Sequence, residues 1–235
     1  MNTSLQILII CDSSWGLERL GEGLGEGLAG NSALTSISIS AKLNCGKGIG
    51  KALSVNSTLT YLDLQVNDFH DGGIKEIGAG LVVNSTLTEL DISQNYFEES
   101  GGVKMGEALA ANSTLTMLRL FGIQITGVGL MKIAEGLKIN SSLTQLELSV
   151  DFDGFEEDVA GKFGEALAVN STLTELNFCN YYIGDIGTVK IAKGLAFNSA
   201  RTDIDLSGNI PHTVRVEVQR GESSALLLIL RPCEI

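Results

Sequence analysis

Apolar residues recur along the chain with two different spacings. In the stretch from Leu87 to Asn95, Leu90 and Ile92 alternate with polar residues, which predicts a short β-strand with one buried face. The residues that follow have apolar side chains four positions apart, which is typical of an amphipathic helix. The helix register is fixed by an asparagine that follows each helix. Apolar residues lie seven positions before it (Leu24, Ile49, Ile77, Met105, Ile133, Phe163, Ile191) and three positions before it (Leu28, Leu53, Leu81, Leu109, Leu137, Leu167, Leu195).

The segment Asn-Ser-Thr-Leu-Thr marks an internal repeat. It occurs at Asn56, Asn84, Asn112 and Asn170, with variants at Asn2, Asn31, Asn140 and Asn198. A period of this size indicates an array in which each unit buries its apolar face against its neighbours. We therefore predict one continuous array of about eight units over residues 1–209.

The last 26 residues differ from the repeats. Residues 213–219 alternate between apolar and polar, residues 220–223 are typical of a turn, and residues 226–230 are apolar. We expect residues 210–235 to form a β-hairpin that caps the array.

Small residues and asparagines occupy fixed positions in the predicted helices. Six positions before the repeated asparagine lie Gly25, Gly50, Gly78, Gly106 and Gly164, with Ala134 and Ala192 in the other units. Glycine inside a helix costs about 1 kcal/mol relative to alanine, so we expect it to allow a close approach of the helix and strand layers. The repeated asparagine is expected to end each helix in the left-handed conformation.

Leu87, Leu90, Ile92 and Asn95 spell L-x-x-L-x-L-x-x-N, so the chain resembles leucine-rich repeat proteins. The long period with a helical second half is similar to the ribonuclease-inhibitor-like class, which NOD-like receptors and Ran GTPase-activating proteins share. The resemblance implies an α/β horseshoe with a parallel sheet on its concave side and helices on its convex side. It also implies that Asn67, Asn95 and Asn209 hydrogen-bond the backbone between turns. Because other residues occupy this position at Ile123 and Tyr181, we expect irregularity there.

The charge of the chain narrows the class of partner. It has 28 acidic and 16 basic residues and a formal charge of −12, which argues against binding to nucleic acid or to an anionic membrane. The sequence has neither a long apolar run nor the basic start of a signal peptide, so we expect a cytoplasmic protein. The four cysteines lack metal-binding spacing and are expected to be reduced thiols.

No combination of residues predicts catalysis, a metal or a cofactor. The glycine-rich segment 46–52 lacks the first glycine and the hydroxyl residue of a phosphate-binding loop. His70 and His212 lie in different units, about 24 Å apart at the spacing of parallel strands. The acidic segment 151–158 lacks the spacing of a calcium loop. We therefore expect a protein without enzymatic activity.

The resemblance directs attention to the concave surface, where this architecture usually binds proteins through strand positions that do not enter the core. Its charged residues are acidic except for one arginine, and aromatic residues lie among them. The candidate protein-binding residues are Tyr61, Asp63, Glu89, Asp91, Met117, Arg119, Phe121, Glu147, Glu175, Asn177, Asp203 and Asp205. This composition favours an interaction scaffold for a basic protein partner.

Two other functions stay open. A GTPase activator similar to the Ran GTPase-activating proteins would need a catalytic arginine, for which Arg19 is the candidate. The chain could instead be the ligand-sensing array of a larger receptor-like protein. The first predicted strand, which contains Leu5, Leu8 and Ile10, has no polar cap before it. This open edge suggests either a longer array or oligomerisation through the N-terminal strand.

Overall fold

The computed structural model describes residues 5–11, 18–41, 45–150, 157–178, 183–200, 202–206, 215–220 and 226–231. At residues 18–22, 150, 185, 215–220 and 226–231 the backbone alone is described. Within these ranges, strands and helices alternate as far as residue 205, and two further strands follow. The strands are β1 (Ile7–Cys11), β2 (Ser36–Ser40), β3 (Tyr61–Asp63), β4 (Glu89–Asp91), β5 (Met117–Ile123), β6 (Gln145–Val150), β7 (Glu175–Phe178), β8 (Asp203–Asp205), β9 (Arg215–Arg220) and β10 (Leu226–Arg231). The helices are α1 (Glu18–Ala29), α2 (Gly46–Leu53), α3 (Asp71–Val83), α4 (Glu99–Ala111), α5 (Gly127–Ile139), α6 (Glu157–Val169) and α7 (Gly184–Phe197).

The ten described strands form one sheet in which each strand lies beside the next one in the sequence. Strands β1 to β8 are parallel, and their register places equivalent repeat positions side by side, as at Leu62, Leu90 and Leu118. Strand β9 is antiparallel to both β8 and β10. The predicted fold class, a parallel-sheet solenoid ending in a β-hairpin, is therefore confirmed. The division of the chain at residue 209 stays a prediction.

The core lies between the sheet and a single layer of helices. The leucines of the strands and the apolar residues predicted for the inner helix faces are buried together, for example Leu90, Ile77 and Leu81. Parallel strands lie about 4.8 Å apart, whereas packed helices need about 8–10 Å. A stack of such units therefore curves with its sheet on the inner side.

The repeated asparagine ends the helices, but the expected left-handed conformation is wrong. Asn112 has φ −79° and ψ 136°, which is extended backbone. Its side-chain oxygen accepts hydrogen bonds from the N–H groups of Thr114 and Leu115 at 2.9 and 2.7 Å. Its amide donates to the carbonyls of Leu81 and Asn84 at 2.8 and 3.1 Å. In the extended conformation, one asparagine side chain hydrogen-bonds both the turn that follows it and the backbone of the preceding repeat, which explains why asparagine recurs at this position.

The second asparagine position forms the predicted ladder at Asn67 and Asn95, and Asn209 lies outside the described residues. The amide of Asn95 donates to the carbonyls of Leu64, Ile92 and Ser93. In the next repeat the buried Ile123 cannot make these bonds. Strand β5 instead continues to Ile123 and pairs with β6 through a register shift between Phe121 and Ile123. The irregularity expected at Ile123 is confirmed, and Tyr181 lies outside the described residues.

One repeat position is left-handed in three successive repeats. Val66, Gln94 and Gly122 have φ values of 60°, 54° and 56°. A β-branched residue is poorly suited to this conformation, so Val66 holds its position at a conformational cost.

The helix glycines contact the next helix, which corrects the expected contact between helix and strand layers. A methyl group at Gly106 would overlap the carbonyl of Lys132 in α5, and one at Gly136 would overlap the carbonyl of Gly106. The same reciprocal contact joins Gly50 to Gly80 and Gly164 to Gly194. The glycines therefore seat α2 on α3, α4 on α5, and α6 on α7.

The pairing has a sequence signal that alternates from one repeat to the next. Four positions before the repeated asparagine, helices α3, α5 and α7 have glycine, whereas α2, α4 and α6 have Ala52, Ala108 and Ala166. Helix α1 also has a glycine there, Gly27, but a methyl group at Gly27 would meet no described atom within 4 Å. At this position α1 therefore resembles α3, α5 and α7, which are the second helices of the three pairs.

Asp71 joins two repeats at the start of their helices. Its carboxylate accepts hydrogen bonds from the N–H groups of Glu98 and Gly101 at 2.8 and 2.9 Å, and from the Ser100 hydroxyl at 2.5 Å. Burial alone would raise the pKa of Asp71, but these hydrogen bonds and the nearby Lys75 lower it below its usual value. Asp71 in α3 therefore caps helix α4 of the next repeat.

Candidate protein-binding surface

The inner sheet face consists of the odd-numbered side chains of β3 to β8, except the buried Ile123. Alternation along a strand directs them away from the helices. The strand register arranges them in rows across the sheet. One row contains Tyr61, Glu89, Met117, Gln145, Glu175 and Asp203, and the next contains Asp63, Asp91, Arg119, Glu147, Asn177 and Asp205. The structure thus brings all the candidate residues onto one surface, with Phe121 and Ser149 in a third row.

Asp63 differs from the other candidates because it is buried, with 6% of its surface exposed. Its carboxylate accepts hydrogen bonds from the Ser38 hydroxyl at 2.8 Å and from the backbone and side-chain N–H groups of Gln65, both at 3.1 Å. Strand β3 ends at Asp63, so the chain can turn and bring Gln65 over it. Asp63 therefore stabilises this turn, and the expectation that its side chain is exposed was wrong. The remaining candidates are half-buried or exposed.

The middle of the inner sheet face has little net charge. Nε of Arg119 lies 3.3 Å from Oε2 of Glu147, and about a quarter of each side chain is exposed. Met117 and Phe121, half-buried on the same strand, lie beside this ion pair. The charges of Arg119 and Glu147 offset each other, and their side chains are partly shielded from solvent. Together with Met117 and Phe121 they form a neutral centre on this face.

Acidic residues flank this centre on both sides. We call Glu89 and Asp91 the β4 pair, and Glu175 and Asp203 the β7–β8 pair. Glu175 and Asp203 are exposed, and Glu175 accepts a hydrogen bond from the side chain of Gln145 at 2.7 Å. The inner sheet face therefore alternates acidic, neutral and acidic along the array.

Tyr61 lies beside the β4 pair in the first row. Burial raises the pKa of its phenol, and the carboxylates of Asp63, Asp91 and Glu89 raise it further against the opposing effect of Arg119. Tyr61 consequently stays protonated at neutral pH and can donate a hydrogen bond without adding charge.

Several other predicted features lie apart from this surface. His70 stacks on Tyr96, with ring centroids 6.0 Å apart. Cys11 and Cys45 are free thiols, and burial raises the pKa of Cys45 to about 11. The glycine-rich segment 46–52 lies in helix α2. Across the described ranges, His, Cys, Asp and Glu form no group of three that could hold a metal ion.

Other residues considered in the sequence lie outside the described part of the chain. They are His212, two of the four cysteines (Cys179 and Cys233) and most of the acidic segment 151–158, together with the side chain of Arg19. The last two described members of the acidic segment, Glu157 and Asp158, are exposed at the start of α6.

The outer helix face has ion pairs between lysines and glutamates of the same helix. Lys104 with Glu107, Lys132 with Glu135, and Lys162 with Glu165 lie 3.1, 2.6 and 3.2 Å apart. Each joins exposed or half-buried residues three positions apart, so its stabilising effect is roughly a few tenths of a kcal/mol. No helix in the described ranges is both long enough and apolar enough to cross a bilayer.

Sequence reasoning missed an exposed apolar row at the C-terminal ends of the helices. The residue just before each repeated asparagine is exposed, as at Val55, Val83, Ile139, Val169 and Phe197. The sequence could have revealed this row, because these apolar residues fall outside the spacing of the buried helix face.

The alternating strands and helices, the in-register leucines and the asparagine ladder define an α/β repeat solenoid. The Leucine Rich repeat family model matches residues 55–78 and 83–106. Among solved structures, the chain is similar to that of "Leiomodin-1 Actin-Binding Site 2 (ABS2)", with a TM-score of 0.51 and 21% identity. The match covers 67% of this chain and 91% of that one. Comparison with curated proteins gave no match. The chain therefore contains leucine-rich repeats at the matched residues, within a solenoid whose fold is similar to that of a leucine-rich repeat structure.

Proposed function

We propose that the protein is a non-enzymatic interaction scaffold whose inner sheet face binds a basic protein partner. The observation that carries this proposal is the layout of that face, where the half-buried Glu89 and Asp91 and the exposed Glu175 and Asp203 flank the half-buried Met117 and Phe121. Carboxylates speed the encounter with a positively charged protein, and apolar anchors slow its dissociation. The similar leiomodin-1 structure is an actin-binding site by name, so it too points to a protein as the ligand of this architecture.

Charge reversal on the inner sheet face tests the proposal. The test variant combines Asp91→Lys, Glu147→Lys and Glu175→Lys, and the matched control combines Glu107→Lys, Glu135→Lys and Glu165→Lys on the outer helix face. Each protein is immobilised, incubated with extract from its native cell and eluted with salt, and the eluted protein is purified for affinity measurements. We expect the wild type and the control to retain the partner and the test variant to lose it, with unchanged circular dichroism. Equal retention by both variants would refute the proposal.

The absence of enzymatic activity is part of the same proposal. A GTP hydrolysis assay with purified small GTPases checks it against the GTPase-activator alternative. We expect no acceleration by the wild type. An acceleration that Arg19→Ala abolishes would establish the alternative.

We also propose that the repeats belong to the ribonuclease-inhibitor-like class and that the protein acts in the cytoplasm. Helices of 13 residues in α3, α4 and α5 support the long-period class. Fractionation of the native cell, with an antibody against the chain, tests the location.

Self-association through β1 is a separate proposal. Ile7 and Ile9 are 59% and 66% exposed, and β1 is the edge of the sheet that the described strands form. Two copies of β1 could pair in antiparallel fashion without bringing charged side chains together, because residues 5–11 are uncharged. Light scattering should show a dimer that Ile9→Lys converts to a monomer. A monomeric wild type at high concentration would contradict the proposal.

A further inference from the structure

The charge layout of the inner sheet face restricts where a partner can be basic. Arg119 and Glu147 compensate each other, so a positive side chain above the centre would meet Arg119 at close range. Among the described residues, no basic side chain forms an ion pair with the carboxylates of the β4 pair or of the β7–β8 pair, which lie on either side. A complementary segment therefore has positive residues at two places and apolar residues between them, where it meets Met117 and Phe121.

Strand spacing sets the distance between the two acidic pairs. Glu89 and Glu175 occupy the same row, three strands apart, and Asp203 lies one strand further along. At about 4.8 Å per strand, these separations are roughly 14 and 19 Å. A helix rises about 1.5 Å per residue, so it covers this distance in roughly 10–13 residues. Within that range, residues eleven positions apart lie on one face of a helix, since three turns take about 10.8 residues.

The backbone of the sheet favours a helical occupant over an extended one. The N–H and C=O groups of β3 to β8 are used in pairing with neighbouring strands, so the inner sheet face offers mainly side chains. An extended segment lying on it would leave its own backbone groups without partners, whereas a helix satisfies them internally. The width of the inner sheet face also matches that of a helix. Three-residue strands such as β3, β4 and β8 are about 10 Å long, which is close to the diameter of an α-helix.

We propose that the inner sheet face receives one amphipathic α-helix of the partner, aligned across the strands, with basic residues about eleven positions apart. One basic end contacts Glu89 and Asp91, the other contacts Glu175 and Asp203, and the apolar turns between them contact Met117 and Phe121. The inference rests on the proposed function and specifies the element of the partner that is bound.

Synthetic peptides of about 18 residues, long enough to span both acidic pairs, test the geometry directly. The first peptide has two Lys pairs centred eleven residues apart, with leucines on the same face between them. The second has the same composition with the Lys pairs centred nine residues apart, which places them on opposite faces. The third keeps the first spacing but has a central proline that breaks the helix. Binding to the full chain is measured by fluorescence anisotropy at low and at physiological salt.

We expect the first peptide to bind at least about tenfold tighter than the other two, and to weaken as salt increases. The variant Glu89→Lys/Glu175→Lys should lose at least about tenfold in affinity for it, and Met117→Ala/Phe121→Ala should weaken it at both salt concentrations. The matched variant Glu107→Lys/Glu135→Lys should bind like the wild type. Equal binding of the three peptides, no binding of the first peptide, or no effect of the inner variants would each overturn the inference.

Failure of this inference can be distinguished from failure of the proposed function. If the natural partner is still captured through Asp91, Glu147 and Glu175 while the first peptide does not bind, the partner uses another element and this inference alone is wrong. If charge reversal affects neither the natural partner nor the peptide, both proposals are wrong.

Discussion

The glycine contact between paired helices gives a sharp test of the packing. Gly136 in α5 and Gly27 in α1 occupy the same repeat position, four residues before an asparagine. A methyl group at Gly136 would overlap the carbonyl of Gly106 and approach the Cβ of Leu109 to 3.2 Å, whereas one at Gly27 would meet no atom of the described residues within 4 Å. The same substitution to alanine should therefore change stability in opposite directions at the two sites.

The expected magnitudes follow from two competing effects. Replacing glycine by alanine inside a helix stabilises it by about 1 kcal/mol. Overpacking a well-filled contact costs about 1–3 kcal/mol, and a fixed backbone carbonyl yields less than a side chain would. Gly27→Ala should stabilise the protein by about 1 kcal/mol. Gly136→Ala should destabilise it by about 1–2 kcal/mol, a difference of about 2–3 kcal/mol between the variants.

Urea denaturation followed by circular dichroism measures both variants against the wild type. The midpoints should move apart while the slopes stay equal, because neither substitution changes the surface exposed on unfolding by much. If Gly136→Ala proved as stable as Gly27→Ala, the paired helices could separate at no cost. The close contact would then not explain the glycines.

Three further substitutions test other features. Asn112→Ala removes four hydrogen bonds to backbone groups of two repeats and should cost about 2–4 kcal/mol in urea denaturation, while the exposed Ser113→Ala should cost almost nothing. Asp71→Asn should lower stability by about 1 kcal/mol at neutral pH through the weaker cap of α4. Because folding lowers the pKa of Asp71, its carboxylate stabilises the protein at pH values above the usual aspartate range, and this stabilisation is lost as the pH falls through the folded-state pKa. The thermal midpoint of Asp71→Asn should therefore fall less steeply with decreasing pH than that of the wild type. Val66→Gly should raise the thermal midpoint, because it relieves a left-handed β-branched residue at a cost of about 1–2 kcal/mol; an unchanged or lower midpoint would contradict this.

The repeat architecture could be predicted from the sequence because the same pattern of apolar residues and asparagines recurs in each unit. Leu87, Leu90, Ile92 and Asn95 fix the strand register, and the helix faces follow from the next asparagine. Ile123 could be identified as an irregular position because a side chain without a hydrogen-bonding group cannot replace asparagine in the ladder. These conclusions need only local spacing and the chemistry of single side chains.

Contacts between repeats were harder to predict. The extended conformation of Asn112 follows from bonds to Leu81 and Asn84, which lie far away in sequence. The burial of Asp63 depends on how Gln65 turns after a strand of three residues. The surface position of the binding candidates could be predicted from alternation, but the Arg119–Glu147 ion pair that divides them required coordinates.

The alternation of glycine and alanine in successive helices restricts how such an array can change in length. If one repeat containing α5 were deleted, α6 would follow α4 and Ala166 would take the place of Gly136 against the carbonyl of Gly106. Removing two successive repeats would restore glycine at that contact. Duplication or loss in evolution, and extension of the array by protein engineering, should therefore succeed in steps of two repeats.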